Sequence, residues 1–582
     1  MRLINIEAFL QRESMMSRGE PVDRRCKVLG SCDDKTTAYA ILSHRWIDPM
    51  EVDHKEMVDL ARMDVEERDE IRQRSGYRKI WYTCKQAEKD GYKWVWVDTC
   101  CIDKRSSAEL SEAINSMYRW YENSRVCYAY LHDVPDLSFP MERDKSRYPN
   151  SNGWPEWFSR GWTLQEMIAP GDVRFVNKHW QPIGDKKTLA PTLSIITQVP
   201  QHILTRGLAG NQPCVAQIMS WAANRTTTRI EDRAYSLMGL LDVNMPMLYG
   251  EGQKAFHRLQ LEIIRMSNDQ SIFAWFSGRD EWTGSCLADD PSFFQHCSQM
   301  ELIDFDEFIE SFKGDIPAED LEDRFGTFPI TNRGIHIWML LDPYRDSDSL
   351  FKAWLPCRNE SDQRVFINLA LCNSNYHRCA LPRSGQLPTK QKLQFRQVYL
   401  RYQHTSPIVT FEIDDSAIAA NGFACRGVYP SEMKGNTAST LAVTHLDPLC
   451  ARVYSNDQRG CRFVVAFGEC FGQGWVHAID YPGKISQWYK QELVKGPERA
   501  RCMAEQPSRD DRGRVWVNHI RLSGWIVRTS RLVWERARIG VRIEVIPSRN
   551  SGININPNEW KPLDVQVGDY FIVYTCYYYK CL

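Results

Sequence analysis

The sequence predicts an N-terminal α/β domain with a parallel sheet, a helical extension of that domain, and a mostly β C-terminal region. Strand-like and helix-like segments alternate over residues 1–184, as in a parallel sheet with helical crossovers. Helical periodicity dominates residues 185–284. Short strand-like runs between Gly- and Pro-bearing turns fill residues 285–582, which we expect to form a sandwich or barrel-like region of unknown role.

Strands and helices follow in order through the first segment. Residues 94–97 are continuously apolar and end at Asp98, as expected of a strand buried on both faces. Ser106 and Glu109 form a capping-box pattern that opens a helix, so the Glu109 side chain is expected to reach back to the Ser106 amide. The predicted strands cover residues 38–43, 94–97, 126–131 and 173–176, and the other predicted helices cover residues 77–90 and 157–168.

The later segments are predicted from periodicity and turn residues. Helices are expected at residues 216–223, 232–241 and 254–266, and strands at residues 335–340, 365–369, 462–467, 541–545 and 570–574. Aromatic residues of the last segment either line a ligand groove or are ordinary core and surface aromatics, and the second interpretation is the simpler one. These residues are Trp475, Trp516, Trp525, Tyr577, Tyr578 and Tyr579.

The composition is that of a globular protein and argues against several partners. The 582 residues include 73 Lys and Arg and 74 Asp and Glu, so the net charge is -1 and no bulk attraction to nucleic acid or to an anionic membrane is expected. No apolar stretch approaches the roughly 20 residues of a membrane span, and Glu7 is too early for a signal peptide. We expect a soluble cytoplasmic protein.

Cysteine spacing favours reduced thiols over disulfides or a metal site. The 19 cysteines are spread through the chain, several within apolar runs, without a Cys-x-x-Cys pair. Cys372, His377 and Cys379 are the best metal candidate, and we predict no metal there. The Walker phosphate loop, the Gly-x-Gly-x-x-Gly turn, His-Glu-x-x-His and Gly-x-Ser-x-Gly are also absent from the sequence, which argues against the commonest ATPase, dehydrogenase, metalloprotease and hydrolase signatures.

Polar residues follow the predicted parallel strands, where open α/β sheets bind their ligands. Together they supply a hydroxyl, a guanidinium, indole rings and carboxylates for one pocket. The candidates are Ser43, His44, Arg45, Trp46, Asp98, Cys101, Asp103, Trp162 and Glu166.

Each candidate also has a purely structural interpretation. Arg45 and Asp98 could form an ion pair at the edge of the sheet, and Trp46 and Trp162 could be core anchors. His44 could be a hydrogen-bonded structural histidine. An acid such as Glu166 is favoured near a helix N-terminus in any case.

The order and spacing of these blocks resemble the fungal heterokaryon-incompatibility (HET) domain. The resemblance covers about residues 1–275, and the C-terminal half resembles no family that we can name. The matching blocks are residues 39–46 (YAILSHRW), 96–104 (WVDTCCIDK), 106–117 (SSAELSEAINSM), 160–166 (RGWTLQE), 221–235 (WAANRTTTRIEDRAY) and 245–252 (MPMLYGEG).

The resemblance implies a fold and an activity. HET domains are described as similar to the TIR fold, a flavodoxin-like sheet, and catalytic TIR domains cleave the nicotinamide–ribose bond of NAD with the glutamate of a Trp-x-x-x-Glu block. Trp162 and Glu166 have that spacing, although Thr163 stands where many TIR domains have Cys. The resemblance therefore implies Glu166 as the catalytic carboxylate, with NAD or NADP as the substrate rather than as a bound cofactor.

The other candidates would then bind the dinucleotide. Arg45 would neutralise its pyrophosphate, Ser43 would donate a hydrogen bond, and Trp46 or Trp162 would stack on a base. The expected protein is a self-associating effector of incompatibility and cell death, with an unidentified partner protein. The alternative is a non-enzymatic HET module that acts by recruiting proteins, with the C-terminal β region as its regulator.

Overall fold

The computed structural model divides the chain into two compact units. The N-terminal unit comprises residues 1–276, 287–308 and 356–365, and the C-terminal unit comprises residues 277–286, 309–355 and 366–582. The structure describes residues 1–547 except for 21, 23–26, 48, 209, 211–212, 277–283, 313–327, 345–346, 348, 373, 380–392, 404–407, 431–439, 445–448, 459, 472, 481–484, 486–487, 489–491, 493–494, 501–514, 523–524 and 536–537.

The N-terminal unit is built on a mixed sheet whose central strands run parallel. The strands of this unit are β1 (Arg2–Asn5), β2 (Leu29–Ser31), β3 (Ala40–His44), β4 (Trp94–Trp96), β5 (Val126–Tyr130), β6 (Val173–Val176), β7 (Pro182–Asp185) and, outside the sheet, β8 (Glu301–Leu302). Their order in the sheet is β2-β1-β4-β3-β5-β6-β7. β4, β3, β5 and β6 are parallel, whereas β1, β2 and β7 pair antiparallel at the edges. The predicted α/β fold class is therefore confirmed, whereas the antiparallel edge strands are not predicted from the sequence.

The order of the parallel strands defines where a ligand would bind. Among the parallel strands, β3 comes first in the chain. β4 lies on one side of β3, and β5 and β6 lie on the other side. The winding direction thus reverses between β3 and β5. In open α/β sheets a crevice forms at this reversal, beyond the carboxyl ends of the strands.

Helices pack around this sheet and continue beyond it. They are α1 (Ile6–Ser17), α2 (His54–Asp59), α3 (Val65–Gln73), α4 (Ser75–Lys89), α5 (Asp98–Cys101), α6 (Ser107–Asn123), α7 (Thr163–Ile168), α8 (Ala190–Thr197), α9 (Gln201–Arg206), α10 (Val215–Ala222), α11 (Asp232–Tyr235), α12 (Lys254–Met266) and α13 (Phe305–Glu310). Ser106 caps α6 as predicted, accepting the Glu109 amide. The Glu109 side chain instead accepts the Asp103 amide at 2.9 Å, so only half of the predicted capping box forms.

The single helix predicted over residues 157–168 is split. A 3₁₀ turn, Glu156–Ser159, precedes α7, and extended backbone at Arg160 separates the two. Arg160 pairs in a parallel bridge with Thr226, and the Gly161 amide donates to the Thr226 carbonyl at 2.9 Å. A Cβ on Gly161 would lie 2.6 Å from the Thr227 side chain, so this close approach requires glycine. The break fixes where α7 begins.

The C-terminal unit is rich in β-strands, as predicted. Residues 335–340, 365–369, 462–467 and 541–545 all lie on strands, and residues 570–574 lie outside the described residues. The elements are β9 (Ile335–Pro343), β10 (Leu350–Arg358), β11 (Arg364–Cys372), β12 (Asn375–Arg378), β13 (Gln394–Leu400), β14 (Val409–Asp414), α14 (Ser416–Ala419), β15 (Ala424–Tyr429), β16 (Thr440–Val443), β17 (Leu449–Asn456), β18 (Cys461–Cys470), β19 (Gln473–Asp480), β20 (Val515–Leu522), β21 (Trp525–Glu535) and β22 (Arg538–Pro547).

Two sheets of this unit share one hydrophobic core. One has the order β16-β14-β22-β21-β20 and the other the order β15-β17-β18-β19. Phe411 of the first and Phe467 of the second meet edge to face, with ring centroids 5.4 Å apart. Trp475 is buried in this core, as in the simpler interpretation of the aromatic residues. Trp516 and Trp525 lie on β20 and β21, and Tyr577, Tyr578 and Tyr579 lie outside the described residues.

The cysteine–histidine group singled out in the sequence lies in the interior of the C-terminal unit. Cys372, His377 and Cys379 are buried, and His377 stacks on Phe471 with ring centroids 4.1 Å apart. Burial lowers the pKa of His377 to about 4. Within the described part of the chain, no group of three or more His, Cys, Asp or Glu side chains is arranged to hold a metal ion.

Candidate functional site

Glu166 lies in the first turn of α7, beneath the carboxyl ends of the parallel strands. It is 5% exposed, and its Oε2 accepts a hydrogen bond of 2.5 Å from Ser43 Oγ at the end of β3. Trp157 Nε1 in turn donates to Ser43 Oγ at 2.8 Å. The indole therefore orients the serine hydroxyl, and the hydroxyl orients the carboxyl group.

The surroundings of Glu166 favour its neutral form. Burial, with a further contribution from the negative charge of Asp98, raises the pKa of Glu166 to about 8. Hydrogen bonding by Ser43 and Tyr121 and the positive charge of Arg160 oppose this increase. In this conformation the carboxyl group is therefore protonated at neutral pH.

Charged residues at the mouth of the crevice form a second group. Arg45 Nη1 lies 2.6 Å from Glu156 Oε2, and the Glu156 amide donates to Asp133 Oδ2 at 2.8 Å. His132 Nε2 lies 3.7 Å from Glu156 Oε2, and burial lowers the pKa of His132. The predicted alternative of an ion pair between Arg45 and Asp98 is wrong, because Arg45 forms its ion pair with Glu156.

Trp46 and Asp98 form the other side of the mouth. Trp46 Nε1 donates to Asp98 Oδ2 at 2.7 Å, and Lys104 Nζ lies 3.6 Å from the centroid of the Trp46 rings. Trp46 is 45% exposed, so it is not a core anchor. This arrangement presents an exposed indole beside one cation and one anion.

His44 belongs to a buried charged group under the mouth. The His44 side chain is buried, with Nε2 3.5 Å from Glu51 Oε2 and 3.9 Å from Asp98 Oδ1. Burial alone would raise the pKa of Glu51, but His44 and Lys79 lower it to about 2. Lys79 is buried and bonds both Glu51 and the Arg45 carbonyl, the latter at 3.2 Å. These contacts fix the turn that carries Arg45 and Trp46.

Three predicted site residues lie outside these groups. Cys101 is buried, and its Sγ accepts the Val97 amide at 3.4 Å. Asp103 binds Arg105 through both carboxylate oxygens, at 2.8 and 2.9 Å. Trp162 is the N-cap residue of α7, one helical turn before Glu166. The structure therefore brings Ser43 and Glu166 together, and Arg45, Trp46, His44 and Asp98 around the mouth.

Several residues of the site are not predicted from the sequence. His132 and Asp133 follow β5 and could have been found by the same rule that selected the residues after β3 and β4. No local sequence pattern marks Glu51, Lys79 or Trp157 as a site residue, because each comes from a segment whose position depends on the tertiary structure.

The donors of the site suit an anionic, aromatic ligand. Arg45 and Lys104 carry positive charge, and Trp46 supplies a partly exposed ring. In this conformation Arg45 is paired with Glu156 and the Ser43 hydroxyl donates to Glu166, so a ligand would have to replace these partners. In the part of the chain that the structure covers, no helix is both long and apolar enough to cross a membrane.

Comparison with known proteins finds similarity over part of this site, while Glu156, Trp157 and Glu166 lie beyond the residues that match the family. Residues 39–152 match the family described as "Heterokaryon incompatibility protein (HET)". Over 237 residues, the chain is 43% identical to vegetative incompatibility protein HET-E-1 of Podospora anserina. That alignment covers 39% of this chain but only 16% of the relative. The Xerocomus chrysenteron lectin XCL matches 25% of this chain and 100% of its own length, with 13% identity and a TM-score of 0.19, which supports no conclusion about the fold.

Proposed function

We propose that the chain acts in heterokaryon incompatibility, as a cytoplasmic cell-death effector that hydrolyses the nicotinamide–ribose bond of NAD or NADP when it self-associates. The match of residues 39–152 to the HET family and the similarity to HET-E-1 support the first part of this proposal. The partner protein that triggers this response is unidentified. The proposal includes a TIR-like, flavodoxin-like sheet, for which the 2-1-3-4 order of the parallel strands is the support.

One observation carries the enzymatic proposal: an oriented carboxyl group lies at the point where the winding of the sheet reverses. Glu166 is held there by Ser43, which is itself held by Trp157. Buried carboxyl groups with strongly shifted pKa values are common at catalytic sites, because catalysis requires a proton affinity matched to the reaction.

The chemistry needs one carboxylate. The bond between ribose C1′ and the nicotinamide nitrogen breaks, both electrons leave with nicotinamide, and the departing ring is neutral without a proton. Ionised Glu166 would stabilise the positive charge that develops on the ribose ring. Water then adds to C1′ and releases one proton, giving ADP-ribose, nicotinamide and H⁺.

The proposal requires a change at the site before reaction. Glu166 is buried and neutral at pH 7 in this conformation, whereas the reaction needs an accessible carboxylate. We propose that self-association opens the crevice and hydrates Glu166, so that the isolated chain is in a resting state. His44, Arg45, Trp46, Asp98 and Trp162 would bind the dinucleotide, with Cys101 and Asp103 supporting the loop after β4.

The same burial favours the alternative, a non-enzymatic HET module that kills by recruiting other proteins. A carboxyl group that stays buried would be a structural part of the core. Both functions would use the HET domain and both would lead to cell death.

Expression in fungal cells separates the two functions. The chain, Glu166→Gln and the matched control Glu112→Gln are expressed at equal levels, and survival is counted. Glu112 is exposed on α6, so its replacement also removes one carboxylate but leaves the site unchanged. An enzyme loses its toxicity only in Glu166→Gln. Equal killing by all three would support recruitment.

A further inference from the structure

Two contacts join the end of β3 to the segment that leads into α7. In the interior, Trp157 Nε1 donates to Ser43 Oγ at 2.8 Å. Closer to solvent, Arg45 Nη1 lies 2.6 Å from Glu156 Oε2, and these two side chains are 35% and 27% exposed. Because Arg45 is two residues from Ser43 and Glu156 directly precedes Trp157, the ion pair and the buried hydrogen bond connect the same two segments. The ion pair is the contact of the two that a ligand from solvent can reach.

The backbone on each side of this ion pair is held by the protein. The Arg45 carbonyl accepts a hydrogen bond of 3.2 Å from Lys79 Nζ, and Lys79 is itself buried. The Glu156 amide donates to Asp133 Oδ2 at 2.8 Å. These bonds fix the points from which the two side chains extend toward each other. Arg45 is therefore occupied by a carboxylate of the chain before any ligand binds.

The pair depends on charge and not on a well-directed hydrogen bond. Glu156 Oε2 is buried and has no hydrogen-bond partner among the described residues, although Arg45 Nη1 is close to it. His132 Nδ1 and Asp133 Oδ1, beside Glu156, are also buried and lack a hydrogen bond within the described ranges. Buried polar atoms without hydrogen bonds are costly, so the closed arrangement is less stable than its short ion pair alone suggests.

A diphosphate is a better partner for this guanidinium than Glu156. Arginine binds phosphate oxygens through two parallel N–H···O bonds, which are stronger than a single poorly directed contact. A ligand that carries a diphosphate can therefore displace Glu156 from Arg45. Since Glu156 is part of the same chain, it competes with the ligand at a fixed and high effective concentration.

We propose that Glu156 is an internal competitor for the diphosphate of the nucleotide ligand. Its carboxylate occupies Arg45 in the resting chain, and the exchange of Glu156 for the diphosphate on Arg45 is the step that admits the ligand to the crevice. This inference concerns the regulation of the candidate site and rests on the proposed function, which places the dinucleotide at Arg45.

The test measures binding of ADP-ribose to the full chain by calorimetry. ADP-ribose carries the diphosphate but has no nicotinamide bond, so it cannot be cleaved as NAD is. The parent chain is compared with Glu156→Gln, Arg45→Gln and the variant that carries both substitutions. Glu156→Gln keeps the size of the side chain and the amide bond to Asp133 while it removes the charge. Glu112→Gln, on the exposed face of α6, is the control for the loss of one carboxylate.

The inference predicts that Glu156→Gln binds ADP-ribose about threefold to fivefold more tightly than the parent chain, the factor expected when a partly exposed ion pair no longer competes. Glu112→Gln should bind as the parent chain does. In the Arg45→Gln background, Glu156→Gln should have less than about a twofold effect, because the competition requires Arg45. Equal affinity of the parent chain and Glu156→Gln, including no binding by either, overturns the inference. An equal gain in both backgrounds also overturns it, since repulsion by the Glu156 charge then explains the effect.

If Glu156→Gln does not fold, Glu156→Asp decides. It keeps the charge but withdraws the carboxylate from Arg45 by one methylene group, so a gain in affinity is again expected, and a folded Glu156→Asp chain that binds as the parent chain does overturns the inference. Nicotinamide release from NAD is measured separately. Tighter binding by Glu156→Gln without any release supports this inference and contradicts the proposed hydrolase, so the two failures give different results.

Discussion

At the scale of single residues, Glu166 makes stability depend on pH. The pKa of Glu166 is about 8 in the folded chain, above the ordinary 4.5, so the folded state keeps a proton that the unfolded state loses. The unfolding free energy should therefore fall between pH 5 and 8, by up to about 1.4 kcal/mol per pH unit. Glu166→Gln cannot ionise and should lack this part of the decrease.

Urea unfolding at several pH values checks this prediction. The difference in stability, Glu166→Gln minus parent, should grow from pH 5 to 8 and level off above pH 8. A difference that stays constant would mean that the carboxyl group is solvated and ionised throughout this range.

Ser43 should also affect the pKa of the Glu166 carboxyl group. Ser43→Ala removes the hydroxyl that favours the ionised form, so the pKa of Glu166 should rise further and nicotinamide release should fall by about tenfold or more. It also leaves Trp157 Nε1 without its acceptor, at a cost of about 1–3 kcal/mol. Nicotinamide release is therefore measured at each pH in Ser43→Ala and in Trp157→Phe. Trp157→Phe removes the bond from Trp157 but keeps the bond from Ser43 to Glu166, so the comparison separates the two effects.

The sequence identified part of this site. The spacing from Trp162 places Glu166 one turn into its helix, and the residues after β3 lie at the mouth. The ion-pair and hydrogen-bond partners of these side chains could not be assigned from the sequence. Arg45 binds Glu156 rather than Asp98, and Glu109 binds the Asp103 amide, because tertiary packing decides between acceptors that the sequence presents equally.

At the scale of elements, the C-terminus of α7 depends on a buried lysine. Lys186 Nζ donates to the carbonyls of Met167, at 3.1 Å, and Ile168, at 3.3 Å, and to that of Pro170. Lys186→Met should therefore destabilise the chain by about 3 kcal/mol, because buried carbonyls at a helix end lose a charged donor. The exposed neighbour Lys187 provides the matched control Lys187→Met. Equal stability of the two variants in thermal unfolding would contradict this role.

The contact between α6 and the 3₁₀ turn at Gly239–Leu241 depends on a glycine. A Cβ on Gly239 would lie 2.2 Å from Tyr118 Cβ, whereas a Cβ on Gly171 would meet nothing within 4 Å. Gly239→Ala should destabilise the chain by about 1–3 kcal/mol through overpacking. Gly171→Ala should change the unfolding free energy by less than about 0.5 kcal/mol. If both variants unfold at the same urea concentration, this packing account fails.

The interior elements could be predicted more fully than the edges. The apolar runs at β3, β4 and β5 indicate buried strands, because both faces of each are covered. β1, β2 and β7 have three or four residues and pair antiparallel at the sheet edges, so their short patterns carry little signal. The helix predicted over residues 157–168 breaks at Arg160 because Thr226, far along the chain, pairs with it.

At the scale of the whole molecule, the chain combines an N-terminal unit, part of which matches the HET family, with a second, β-rich unit. The candidate site lies entirely in the N-terminal unit. A regulatory role for the C-terminal unit stays a prediction, and the chain spans 16% of the length of its relative HET-E-1. Self-association is the proposed means by which the buried Glu166 becomes accessible.

Nicotinamide release from NAD by the full chain, over a wide range of protein concentration, tests the central claim most directly. We predict that release per molecule rises with concentration, persists in Glu112→Gln and is lost in Glu166→Gln. Equal release by Glu166→Gln, or no release from the folded chain at any concentration, would contradict the claim that Glu166 is the catalytic carboxylate of an NAD hydrolase.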